Sequence, residues 1–408
     1  MRQILTEKLI LLIIIFIIPY SASSEDLDEP FLQKLIQSKD AGLLLNLYKS
    51  ADNFENKLKI INAAYHINTN DILPVIDLAC KDIYLNNKDF AANSQLQAIL
   101  DNVLKTINSL KAKNFQEILY KLSIIIRHNP TYHNIIHTLG IIGDRTTGVR
   151  LSKILSEAFL AKMENKTVNE NNVIYLLEAL GKIKQGVSFK DVFQIAYSTA
   201  FSKAITEKAQ DTLDRIETNH ISAYNALFRE SNLTERMAVI VSVFSSQKLL
   251  NEEKIEALDQ ILKNIILENK TYSAEQYEQA ELLFQKLFFA LGALGGGKAT
   301  PAMIQFFEKK ARDIDSQIFK EDTLLVIINA LGLTKNHDAS LSLSLFLKKL
   351  NIIKNEKKVS ESLFIIVIEA LGKIGNSLAV EPLSETYMQD HSANIKTATL
   401  TALEKCQK

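Results

Sequence analysis

The string Glu178-Ala-Leu-Gly-Lys-Ile183 returns letter for letter as Glu369-Ala-Leu-Gly-Lys-Ile374. Three variants accompany it: His137-Thr-Leu-Gly-Ile-Ile142, Phe289-Ala-Leu-Gly-Ala-Leu294 and Asn329-Ala-Leu-Gly-Leu-Thr334. Their glycines stand at 140, 181, 292, 332 and 372, separated by 41, 111, 40 and 40 residues. The long interval has room for two or three degenerate copies. Leu213-Asp-Arg-Ile216 is a candidate, with Asp214 in the glycine place, and Leu403-Glu-Lys closes the series. Each copy ends an apolar run of helix length, such as Ser362 to Leu371, and a second amphipathic run follows, such as Ala379 to Met388. Pro301 and Pro382 fall in the first turns of such second runs, where a missing N–H costs nothing. A glycine at the end of the first run is expected to terminate that helix in a left-handed conformation. The alanine before it is expected to let neighbouring helices approach closely.

Composition agrees with a chain built from helices. Six prolines and 13 glycines in 408 residues are too few for the turns of an all-β sandwich or barrel. Hydrophobic residues make up 47% and charged residues 23%, enough for a large core. The 47 basic and 47 acidic residues cancel. Without a basic surplus, nucleic acid is not expected as the main partner. The abundant Ile, Lys and Asn reflect base composition as much as structure.

A period near 40 with two helices per unit is that of the HEAT class of α-solenoid. The Ala-Leu-Gly wording resembles the HEAT-like repeats of the phycobilin lyases, from about Asn129 to the C-terminus. That resemblance implies an all-α fold, an α-α superhelix of about nine or ten helical hairpins, roughly 90 Å long. It implies first helices on a convex face and the Ala-Leu-Gly ends on a concave one. The Val-Arg that usually opens the second helix is missing, as is the Asp/Arg ladder it implies, so stacking is expected to rest more on apolar contacts. Residues 129–408 form the clear array. Residues 25–128 show only helical amphipathicity, with Leu58 to Ile67 and Leu96 to Leu104 as candidate second helices.

Residues 1–24 read as a secretory signal. Arg2 and Lys8 precede ten apolar residues, Leu9 to Ile18, then Pro19 and the small residues Ser21 to Ser24. Ten helical residues reach about 15 Å, half a hydrocarbon core. The charge-free window to Ser24 is longer, which leaves an uncleaved anchor as the alternative. Cleavage is expected between Ala22 and Glu25, placing the protein in the periplasm or another extracytoplasmic compartment. Only Cys80 and Cys406 are available for disulfides, and they read as small buried side chains.

Candidate chemistry is sparse. Gly292-Ala-Leu-Gly-Gly-Gly297-Lys298 matches most of a phosphate-binding loop. Ala299 supplies no hydroxyl for magnesium, and a helix precedes it instead of a strand, so no nucleotide is expected. His133 and His137 lie one turn apart on one helix face, with Asp144 beyond, and are the weak candidates for a metal. They would centre the alternative function, a HEAT-like lyase or metal-dependent enzyme. Deoxyhypusine hydroxylase, another HEAT-like enzyme, binds iron through His-Glu pairs, and no histidine here precedes a Glu. No cofactor is expected. The sequons at Asn165, Asn232 and Asn269 carry no information.

The favoured function is a non-enzymatic scaffold that binds a protein or peptide, with membrane contact only if the leader is retained. Three residues before the glycines stand His137, Glu178, Phe289, Asn329 and Glu369. Stacking should align them, and the polar four, His137, Glu178, Asn329 and Glu369, are the expected partner-binding ridge. The competing explanation is that each Glu pairs with a neighbouring lysine or caps a helix.

Overall fold

The computed structural model describes residues 27–268, 270, 272–312, 320–354 and 359–407. The leader segment lies outside these. Among the described residues there are 21 α-helices and no strand beyond an isolated bridge between Gln185 and Glu217. The chain forms two compact units, Met1–Glu217 and Thr218–Lys408. It is an all-α helical tandem-repeat protein.

In the first unit the helices are α1 (Glu29–Ser38), α2 (Ala41–Ser50), α3 (Phe54–Ile67), α4 (Leu73–Leu85), α5 (Ser94–Leu110) and α6 (Gln116–Ile125). They continue with α7 (Tyr132–Ile142), α8 (Arg145–Met163), α9 (Glu170–Ile183), α10 (Phe189–Ala196) and α11 (Lys203–Arg215). The second unit holds α12 (His220–Glu230), α13 (Leu233–Ser245), α14 (Asn251–Glu268), α15 (Ala274–Ala293) and α16 (Thr300–Arg312). It ends with α17 (Glu321–Leu333), α18 (His337–Ile353), α19 (Glu361–Ile374), α20 (Val380–Met388) and α21 (Ala393–Cys406). Within each unit the odd-numbered helices pack side by side in one layer and the even-numbered ones in another. Leu, Ile, Val and Phe between the layers form the core. Leu58 to Ile67 and Leu96 to Leu104 belong to α3 and α5, in the layer of the Ala-Leu-Gly helices, not in the second-helix layer. Two degenerate copies, α11 and α13, stand between α9 and α15.

Local chemistry sets the helix boundaries. Asn53, Asn93, Asn169, Asn219, Asn232 and Asn336 are N-caps whose side chains accept first-turn N–H bonds. Asparagine is among the best N-caps, so part of its abundance is structural.

The repeat glycine does not end its helix. Gly140, Gly181, Gly292, Gly332 and Gly372 all lie inside helices, and none has a positive φ. After four of the five a left-handed residue comes three places later, at Lys184 (φ 59°), Gly295 (81°), Lys335 (52°) and Gly375 (68°), whereas Gly143 after Gly140 is extended. What requires the glycine is proximity. A Cβ on Gly140 would lie 2.8 Å from the Ala179 Cα; on Gly292, 2.9 Å from that of Ala330. On Gly332 it would lie 2.8 Å from the Ala370 Cα, and on Gly372, 3.0 Å from that of Ala402. Each of these four glycines thus receives the backbone of the alanine in the next copy, which for Gly372 is Ala402-Leu-Glu. Gly181 faces Thr212, the equivalent residue of the degenerate copy, and there a Cβ would find ordinary contacts of 3.5 Å or more.

This difference predicts opposite outcomes for one substitution within one unit. Gly140→Ala should push two backbones apart and cost about 1–3 kcal/mol. Gly181→Ala has room, and should be neutral or stabilise α9 by up to about 1 kcal/mol through helix propensity. Hydrogen-exchange protection of α7 and α9 measures both, and equal effects would contradict the close-approach role.

Candidate partner-binding ridge

Because the backbone contact occupies the glycine edge, the residue one turn earlier is rotated outward. His137, Phe289 and Glu369 are exposed, while Glu178 and Asn329 are half-buried. The five therefore sit on the solvent side of the odd-helix layer of their own units. The flanking hydrophobics Ile135, Ile136, Leu176, Leu177, Ile327, Ile328, Val367 and Ile368 face inward.

In the first unit Lys208 of α11 donates to Glu178 at 2.9 Å. Partial desolvation and then the Lys182 ammonium hold the His137 imidazole below the usual histidine value, against the opposing pull of Glu178. His137 is thus favoured neutral at neutral pH. In the second unit Lys373 of α19 donates to Asn329 Oδ1 at 2.8 Å. Glu369 has no hydrogen bond or ion pair among the described residues. The ridge is consequently less acidic than its sequence suggests. The lysine pairing weighed against the ridge is present at Glu178, and a lysine also reaches Asn329.

His133 Nδ1 meets the Pro130 carbonyl at 2.6 Å, and its ring lies 5.3 Å from that of Tyr175. Asp144 is spent as the N-cap of α8, accepting from the Thr146 and Thr147 amides at 2.9 and 3.1 Å. Among the described residues no three His, Cys, Asp or Glu side chains are set to hold a metal. The glycine string at 292–298 is the turn from α15 to α16. Its residues 295–297 have positive φ, and a 3₁₀ turn over Gly297–Ala299 leads into the next helix.

A polar ladder escaped the sequence reading. The first glutamate of an odd helix accepts a hydrogen bond from the N-cap serine of the next odd helix. Ser392 Oγ donates to Glu361 at 2.7 Å, and Ser360 likewise to Glu321. Ser202 donates to Glu170 in the first unit, where Lys162 also binds the carboxylate at 2.9 Å. These rungs stand where an Asp/Arg ladder was missed, so stacking is not left to apolar contacts alone. Sequence spacing hides them, because linkers of different length separate the partners.

No protein-family model matches the chain, and no curated protein matches it. Among solved structures it is similar to a circular tandem repeat protein with novel repeat topology and enhanced subunit contact surfaces. The two are 11% identical over 92% of this chain and 74% of that one, with a TM-score of 0.21, a likeness that carries no argument.

The ladder is testable by pH. The Lys162 hydrogen bond, then that of Ser202, lowers the Glu170 pKa below the usual carboxylate value. A lowered acid stabilises the fold while ionised, so its contribution is lost as pH falls through the lowered folded pKa. Acid should therefore loosen the α9–α11 contact, and Glu170→Gln should flatten that dependence. A carboxyl titration followed by NMR checks the direction, and a Glu170 pKa at or above the ordinary range would refute it.

Proposed function

We propose that this chain is an exported HEAT-like repeat scaffold, without catalysis of its own, that binds a protein or peptide along the solvent-facing ridges of its odd helices. The supporting observation is that the residue three before each repeat glycine is exposed or half-buried on its helix, whereas the hydrophobic residues just before it in sequence are buried. Side chains repeated at one place on successive helices offer an elongated surface that needs no catalytic group. The leader-like composition of residues 1–24 supports export, and the Ala-Leu-Gly period supports the HEAT-like reading.

A steric block tests the surface. Cys80 and Cys406 are buried and free, so a cysteine introduced at Glu369 can be alkylated selectively with a bulky polyethylene glycol maleimide. The wild-type chain is expected to capture a partner from an envelope extract, and alkylated Glu369→Cys to lose it. Alkylated Leu345→Cys, on the other layer, should retain capture. Equal loss at both sites, or no capture by wild type, removes the reading. N-terminal sequencing tests export: a start between Ser23 and Glu25 is expected, whereas Met1 from a membrane pellet favours a retained anchor.

A further inference from the structure

The ridge of the second unit begins on an aromatic residue, and its surroundings differ from those of the first. Phe289 on α15 is 65% exposed. Its ring stands edge-on to that of Phe244 on α13, with centroids 6.2 Å apart. Val241 lies one turn before Phe244, and Leu282 two turns before Phe289. Leu333 of α17 reaches over Gly292, its Cδ1 3.5 Å from where a Cβ would stand. Val241, Leu282 and Leu333 are 41–44% exposed. The outer stripe of the first unit's odd helices carries only Ile141 of this kind among the described residues.

Four exposed lysines border this island. Lys248 lies in the bend just after the end of α13. Lys286 lies between Leu282 and Phe289 on the same stripe of α15. Lys335 is two residues past Leu333, and Lys373 is drawn toward α17 by its bond to Asn329. A helix dipole accounts for cations at C-terminal ends such as Lys335 and Lys373. It does not account for Lys286, which stands well before the last turn of α15, beside the exposed ring. The acids on these stripes, Glu275, Glu278, Asp322 and Glu369, all precede the island residues and lysines of their own helices, toward the helix N-terminal ends.

We propose that the Phe244–Phe289 island is a docking site for an acidic peptide segment bearing an aromatic or large aliphatic residue. This rests on the partner-binding reading above and specifies its chemistry for the second unit. The apolar residue of the peptide covers Phe289 and packs against Phe244, Leu282 and Leu333, and its carboxylates meet Lys248, Lys286, Lys335 and Lys373. Aromatic anchors ringed by groups that fix orientation carry most of the energy in such contacts. A membrane surface is the poorer fit. Phe289 is 65% exposed while the apolar residues near it are only 41–44% exposed, whereas interfacial binding needs several apolar side chains standing clear of the surface.

The test uses the full chain and a short fluorescent peptide with two phenylalanines among glutamates, read by anisotropy. A counterpart with lysines for the glutamates and vesicles of phosphatidylserine and phosphatidylcholine complete the set. The acidic peptide should bind and the basic one should not, and binding should weaken between about 50 and about 500 mM salt. Phe289→Ser and Lys286→Glu should each weaken it at least about tenfold. Both positions are exposed, so the fold should survive, and Leu345→Ser should bind as wild type does. Indifference to peptide charge, unchanged binding by Phe289→Ser, or vesicle binding without peptide binding would overturn the proposal. If the acidic peptide fails while the Glu369 block still abolishes partner capture, the inference falls and the scaffold reading stands. If wild type captures nothing, the scaffold reading falls.

Discussion

The contact between a glycine in one helix and the backbone of an alanine in the next joins α7 to α9 in the first unit and links α15, α17, α19 and α21 in the second. With Cβ positions under or near 3.0 Å, no side chain separates those two main chains. The alanine that fills one neighbour's glycine edge sits two residues before the glycine that receives the following alanine. Ala330-Leu-Gly332 and Ala370-Leu-Gly372 therefore make both halves of the contact, one with the preceding helix and one with the following helix. The interaction is head-to-tail, the heterologous kind of contact that propagates from one repeat to the next. The leucine between them points into the core, as Leu139, Leu180, Leu291, Leu331 and Leu371 all do.

One close contact fixes a distance but leaves helices free to pivot about it. The Glu–Ser rungs supply a second attachment near the opposite helix end. Glu361 with Ser392 and Gly372 with Ala402 join the same two helices, α19 and α21, at their first and last turns. Glu321 with Ser360 and Gly332 with Ala370 do the same for α17 and α19. Two attachments define both spacing and register. The apolar core alone would favour neither strongly, since Leu, Ile and Val tolerate shifted packing.

The period, the helical class and the outward position of the ridge were legible because they follow from periodicity, which any repeat array must respect. The role of the glycine was not. A glycine just before a polar linker ordinarily closes a helix, and here lysines at 184 and 335 adopt the left-handed turn instead. Nothing local distinguishes a capping glycine from one crowded by a helix some forty residues away. The pairing of Glu178 with Lys208 was hidden because the degenerate copy shifts the offset to 30 residues. Phe289 is the apolar exception in a polar row, and the sequence holds no sign that Phe244 stands beside it.

This division of labour explains how the two units can share a frame and differ in surface. The glycine edge and the N-cap serine are committed to stacking, and changing either disturbs the array. The position three before the glycine touches neither attachment. The first unit can therefore carry His137 and Glu178 there, and the second Phe289, Asn329 and Glu369, without disturbing either attachment. The position after the glycine has similar freedom: Arg215, Leu333 and Lys405 each lay an aliphatic stem over the preceding glycine place and differ in what they present to water. The chemistry presented to water can change along such a surface one residue at a time, because the backbone contact beneath it makes no use of those side chains.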